Sequence, residues 1–225
     1  MRTLLQIFAL ASIAVTLRAG TILGSVHAEA NPELSDSGKS GKYDSRKFKF
    51  VEKIDYSELK DFIVFIDQPV TNAPSFSTNT VQIITQRDAV FRPGVLPVMV
   101  GTTVEWPNKD DIFHNVFSMS ESNPFDLGLY KDPEVKKVQF QNPGRVDVFC
   151  SIHSQMNCVL LVLQNPFFAS TGKSRRYRIE NVPPGTYKLK AWHHRLPAQM
   201  KEIVVPASGE VRVDFTLGVK GLPKY

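Results

Sequence analysis

The chain has 225 residues, 42% of them hydrophobic, which is enough for one large or two small domains with a packed core. Its formal net charge of +5 is too mild for a nucleic-acid binder by composition. Fifteen Pro, thirteen Gly and many short alternating runs, with no long amphipathic helix beyond the N-terminal stretch, predict an all-β chain.

The first stretch reads as a targeting signal. Arg2 supplies a basic start and residues 4–17 an apolar run. Val26-His27-Ala28 is a small-residue cleavage signal, with Ala28-Glu29-Ala30 as a neighbouring alternative. A leader over 1–28 implies a periplasmic or otherwise exported protein. The run is short for a membrane span and is interrupted by Arg18, and nothing later looks transmembrane. Losing Arg2 and Arg18 leaves 25 basic against 22 acidic residues, a net +3. Residues 29–45 are rich in Ser, Gly, Lys and Asp and read as a flexible leader. Residues 47–54 alternate Phe with Lys and predict a strand, and 59–67 a stronger one with a continuous apolar centre at 62–66. Residues 68–79 are a Pro, Ser, Thr and Asn loop and a domain junction.

Strands are expected at 81–85 and 95–100, with a turn at Arg92-Pro93-Gly94. Gly101 marks a turn, Val104 and Trp106 alternate with Glu105, and Pro107-Asn108 ends that strand. A polar loop follows, and His114 enters the next apolar strand. Residues 118–141 hold a loop, then 125–130, then a strand at 135–140. That loop offers no ligand candidate, and Asp126 reads as a turn residue. Residues 144–163 read as strand, tight loop, strand. Cys150-x-x-His153-x-x-Met156 sits between the strands. Thiolate and thioether are soft donors, and imidazole suits Cu(II) as well, so the set points to copper. A blue-copper site needs a second His, and His114 is the candidate. Zinc fits Cys and His but not Met. A hairpin disulfide from Cys150 to Cys158 is the competing reading, and it leaves His114, His153 and Met156 without a role. Cys158 otherwise reads as a small core residue.

The sequence VGTTVEWPN…H followed by CxxHxxM resembles the cupredoxins, and the amicyanin-like group in particular, over residues 78–164. The resemblance implies a Greek-key β-sandwich holding one type 1 copper, with His114, Cys150 and His153 as strong ligands and Met156 as the weak axial one. It also implies that the backbone amide of Asn115 donates to the Cys150 sulfur, and that the His153 edge lies near the surface as the electron exit.

After residue 164 the character changes. YRIENVPPGTYKL, with Pro184-Gly185 suited to a type II turn, resembles the carboxypeptidase-regulatory-like, prealbumin-like sandwich. Residues 62–67 fit that module's early hydrophobic strand, so 46–68 and 165–222 are expected to form a second sandwich with the cupredoxin inserted in it. The module's G-x-V opening strand is not assigned. The whole arrangement resembles exported methylamine-utilisation-type or plastocyanin-like proteins. His193 and His194 end a strand; alternation sends them to opposite faces, so they read as exposed polar residues, with docking or a second metal as the alternative. The basic run 173–178 reads as a solvated edge that could instead steer an acidic partner. The function implied is single-electron transfer between redox partners, with copper carriage as the alternative. An enzyme is disfavoured because a mature chain with four His, two of them ligands, cannot build a second His-rich copper site.

Overall fold

Two strands with continuous buried apolar runs set the architecture. In the structure, a computed structural model describing residues 19–29, 55–70 and 80–218, these are β2 (Ile63–Ile66) and β12 (Asn157–Leu163). A strand buried on both faces has no polar side, and each of these two separates two hydrophobic layers. The expected leader at 30–45 and the strand at 47–54 lie outside the described residues.

One pair of sheets is built from the middle of the chain. Its smaller sheet joins β3 (Val81–Ile83), β7 (Thr103–Pro107) and β10 (Val135–Gln139) in the order β10-β7-β3. Its larger sheet adds β6 (Val95–Met99), β8 (His114–Ser118), β9 (Phe125–Tyr130) and β11 (Gly144–Phe149) to β12, in the order β6-β12-β11-β8-β9. Between them lie Ile84, Phe91, Trp106, Val116, Phe140, Val148 and Leu160. The expected strand at 81–85 is broken at Ile84, and a hairpin of β4 (Thr85–Arg87) and β5 (Val90–Arg92) follows.

The second pair of sheets comes from both ends of the described chain. One holds β2, β13 (Phe168–Ser170), β15 (Gly185–His193) and β16 (Leu196–Val205) in the order β13-β2-β15-β16. The other joins β14 (Arg176–Val182), β17 (Glu210–Arg212) and β18 (Phe215–Leu217) around a strand that sequence reasoning gave to the leader, β1 (Gly20–Ala28). Ile22 and Val26 of β1 are buried with Phe62, Val64, Ile179, Leu189 and Phe215. A leader ending at Ala28 would therefore take a central strand with it. An apolar, small-residue stretch such as TILGSVHA satisfies a cleavage signal and a buried strand equally well. Gly24-Ser25-Val26 lies on β1, and His27 is exposed on the same strand.

The two pairs of sheets meet across a third apolar layer. Phe62, Val64 and Ile66 point into one core, while Ile63 and Phe65 pack with Leu161 and Leu163 of β12, flanked by Trp192 and Phe168. At the same junction the β15–β16 ladder slips between Ala191 and His193. The slip breaks the alternation, so His193 and His194 do not diverge: their rings lie 4.4 Å apart. His193 is buried, with its ring 5.0 Å from Phe62, which corrects the expectation of two exposed residues.

Burial, with the neighbouring His194 ring adding to it, pushes the His193 pKa down from 6.5 to about 4. The folded chain thus leaves His193 neutral where the unfolded chain takes up a proton. Stability from this residue is present above pH 6.5 and is lost as the pH falls toward 4. Urea midpoints measured between pH 7 and 4.5 should fall, and His193→Gln should flatten that slope.

Candidate metal centre

The site is made where three chain segments end together. β11 and β12 form an antiparallel ladder from Gly144↔Val162 to Phe149↔Asn157. The connecting loop is closed by Cys150 N–H donating to Met156 O at 3.1 Å and Met156 N–H donating to His153 O at 2.9 Å. These bonds fold Cys150, His153 and Met156 into one short turn. β8 runs antiparallel to β11, with Phe117 opposite Phe149, so His114 at its start arrives beside that loop.

The donor atoms converge. His114 Nδ1 and His153 Nδ1 lie 3.1 Å apart. Cys150 Sγ is 3.7 Å from His153 Nδ1 and 4.0 Å from His114 Nδ1. Among the described residues these three form the one group of His, Cys, Asp and Glu arranged to hold a metal ion. His114, Cys150 and Met156 are buried and His153 is half-buried, so the site opens to solvent on the His153 side. Ile112, Phe113 and Ile152 are about half exposed next to it in sequence, an apolar rim.

His114 is held from behind. Its Nε2 lies 2.8 Å from Asp110 Oδ2. Asp110 in turn accepts from Asp88 N–H at 2.7 Å and Ala89 N–H at 3.0 Å. Asp88 and Ala89 form the β4–β5 turn with φ of 58° and 52°, a left-handed pair that costs non-glycine residues about 1–2 kcal/mol each. The carboxylate takes both turn amides, which offsets part of that cost. Burial alone would raise the Asp110 pKa, but the bonds from Ala89, His114 and Asp88 together hold it below the usual carboxylate range. Buried Asn108 fixes the loop, its side-chain amide donating to Ile112 O at 2.9 Å and Tyr130 O at 3.1 Å, while its Oδ1 accepts from Asp110 N–H. Sequence reasoning missed Asp110 and the Asp88-Ala89 turn. Its one available signal was a carboxylate four residues before His114 in a polar loop.

Other candidates fall elsewhere. Asn115 is buried beside His114, and its side-chain amide donates to Asp126 Oδ1 at 2.6 Å. Asp126 also accepts from Gly128 N–H at 2.9 Å, the turn role expected of it. Cys158 stands opposite Val148 in the β12 ladder and both cysteines are free, so the disulfide reading fails. Burial pushes the Cys158 thiol far up, which leaves it unreactive.

No family model and no curated protein matches the sequence. Over 44% of its length the chain is similar to a copper-containing nitrite reductase from Thermus scotoductus, at 27% identity and a TM-score of 0.37, and it spans only 26% of that chain. A Cu(I) form of an amicyanin variant is 21% identical over 37% of this chain and 82% of its own, with a TM-score of 0.35. A purple cupredoxin from Nitrosopumilus maritimus is 23% identical over 38% of this chain and 100% of its own, with a TM-score of 0.33.

Thiol titration of the metal-free chain, unfolded under non-reducing conditions, should find two free thiols. Cys158→Ala should reduce this to one at a modest packing cost, with the metal site unchanged.

Proposed function

We propose that the chain is an exported type 1 copper protein that carries single electrons between redox partners. The observation that carries this reading is the triangle of His114 Nδ1, His153 Nδ1 and Cys150 Sγ, with sides of 3.1, 3.7 and 4.0 Å. Donors about 2.0–2.3 Å from a shared ion in a trigonal plane stand about 3.5–3.9 Å apart, so the set fits copper with little movement. A copper ion bound there would gain and lose one electron between Cu(II) and Cu(I).

In this reading His114, His153 and Cys150 would hold the ion, and Met156, buried in the same turn, would supply a weaker fourth sulfur donor. The Asn115 backbone amide would donate to the Cys150 sulfur. The protein's own contribution is rigidity and dryness. Asp110 fixes the ring angle and tautomer of His114 by taking its Nε2 proton in a hydrogen bond. The hairpin ladder fixes Cys150, and burial keeps water from the thiolate side. A site that holds one geometry in both oxidation states exchanges electrons with little rearrangement. The half-buried His153 ring, rimmed by Ile112, Phe113 and Ile152, is the face a redox partner would meet.

A carrier is favoured over an enzyme by the remaining histidines. His27 is exposed on β1, while His193 and His194 stack on each other at the junction. The second pair of sheets takes, in this reading, the prealbumin-like form of a carboxypeptidase-regulatory-like module.

Cu(II) added to the purified protein should give an intense charge-transfer colour at one copper per chain, and rapid electron self-exchange. Cys150→Ser should abolish the colour. Met156→Leu should keep it and raise the reduction potential. A colourless protein that still binds one Cu(II), or a coloured one with slow self-exchange, would count against the electron carrier.

Asp110→Ala should weaken Cu(II) binding about 10–100-fold in a competition titration, the usual cost of losing a partner behind a metal-binding His. Asp111→Ala, its exposed neighbour, should leave the affinity unchanged.

A further inference from the structure

The two ends of β1 bound the place where a leader can be removed. β1 lies inside its sheet and is bonded along both edges. On one side it runs antiparallel to β14, from Gly20↔Val182 to Ser25↔Arg176. On the other it runs parallel first to β17, from Thr21↔Glu210, and then to β18, from Val26↔Phe215 to Ala28↔Leu217. Thr21 N–H donates to Gly209 O at 3.0 Å, Val26 N–H to Arg175 O at 2.8 Å and Glu29 N–H to Leu217 O at 3.0 Å. Ser25 gives both its N–H and its hydroxyl to Asp214 Oδ1, each at 2.8 Å.

The packing is as close as the bonding. A Cβ on Gly24 would stand 1.9 Å from Val213 O, and one on Gly20 would stand 2.6 Å from Val205 Cγ1. Ile22 and Val26 have no exposed surface and belong to the core that β1 shares with β2, β14 and β15. Cutting after Ala28 or Ala30 would remove all of this. It would also leave β14, β17 and β18 with a bare edge around an opened core. Gly20 is itself paired with Val182 and packed against Val205, so the fold requires that any cut fall before Gly20.

The leader sets the other limit. Its apolar run ends at Leu17, and the residue before the cut must be small. Between Leu17 and Gly20 stand Arg18 and Ala19, and only Ala19 is small. Leu17, two positions earlier, is the one departure from a small-x-small signal.

We infer that the leader is cut between Ala19 and Gly20, so that the mature chain begins on β1 itself. The inference rests on the proposed export and names the position of its processing. The mature chain then keeps His27 and the whole of the β1 core.

The full-length chain should be expressed in a host that exports such leaders, and the product recovered from the exported fraction for intact mass and N-terminal sequencing. The expected N-terminus is Gly20-Thr21-Ile22. An exported chain that starts at Glu29, at Asn31 or anywhere else, or that keeps its leader, overturns the inference while leaving export standing. Full-length chain found only in the cytoplasm overturns the export reading and this inference with it. Ala19→Phe, which places a bulky residue before the cut and leaves β1 intact, should cause loss of the processed form and accumulation of precursor. Unchanged processing of Ala19→Phe would also overturn the assignment.

Discussion

Two imidazoles and a thiol brought to within 4.0 Å of one another, mostly out of water, are unfavourable unless their remaining polar atoms have partners. The rest of the site follows from meeting that condition. His114 has its second nitrogen on Asp110, and Asp110 has its other bonds from a hairpin turn that would be strained without it. Asn108 holds the loop that carries Asp110 and also bonds β9 through Tyr130 O. The chain of contacts runs from a donor atom to a turn more than twenty residues away. A loop of this kind is rigid because each polar group in it closes on another. His153, which has no such carboxylate behind it among the described residues, is also the donor residue most open to solvent.

The same economy of surface explains the double burial of β2 and β12. Each carries a continuous apolar run because each is shared: β12, from Cys158 on, serves the inner core with Leu160 and Val162 and the junction with Leu161 and Leu163. β2 does likewise with Val64 and Ile66 on one face and Ile63 and Phe65 on the other. The two pairs of sheets thus meet through strands that are already central to their own cores. A junction built this way resists sliding, since a one-residue slip in either strand would exchange the side chains of two cores at once.

Much of this was legible in the sequence. The apolar runs at 62–66 and 159–163 and the turn signals predicted all-β structure, and the CxxHxxM spacing with His114 upstream pointed to the His114, Cys150 and His153 that come together at the site; that β2 and β12 each serve two cores was not read. What escaped had physical reasons. β1 was hidden because an apolar leader and a buried strand use the same residues. The β4–β5 hairpin was hidden because Asp88-Ala89 is not the Asn-Gly or Asp-Gly pair that marks such a turn; the amides find their partner in Asp110, twenty-one and more residues downstream. The His193–His194 stack was hidden by a ladder slip that no local pattern announces. For β1 and the β4–β5 turn the deciding interaction is long-range, and for the two histidines it is the register of a hairpin; a one-dimensional reading has access to neither.

β11 ties the site to the second pair of sheets. One end of the strand delivers Cys150. Near the other, Arg145 forms a bidentate pair with Asp147 and donates through Nη1 to the backbone carbonyl of His194 at 3.0 Å. Asp147 N–H also donates to Ser120 Oγ, which ties the strand to the loop after β8. An exposed ion pair on its own contributes little, and this one is partly exposed. Its value lies in direction: the guanidinium fork is planar, so holding Asp147 and a carbonyl of the other unit together fixes the roll of β11 about its axis. The strand that carries the sulfur is braced at its far end by the part of the chain that contributes nothing to the donor set. The second pair of sheets thus meets β11 directly as well as through the apolar layer of β2 and β12.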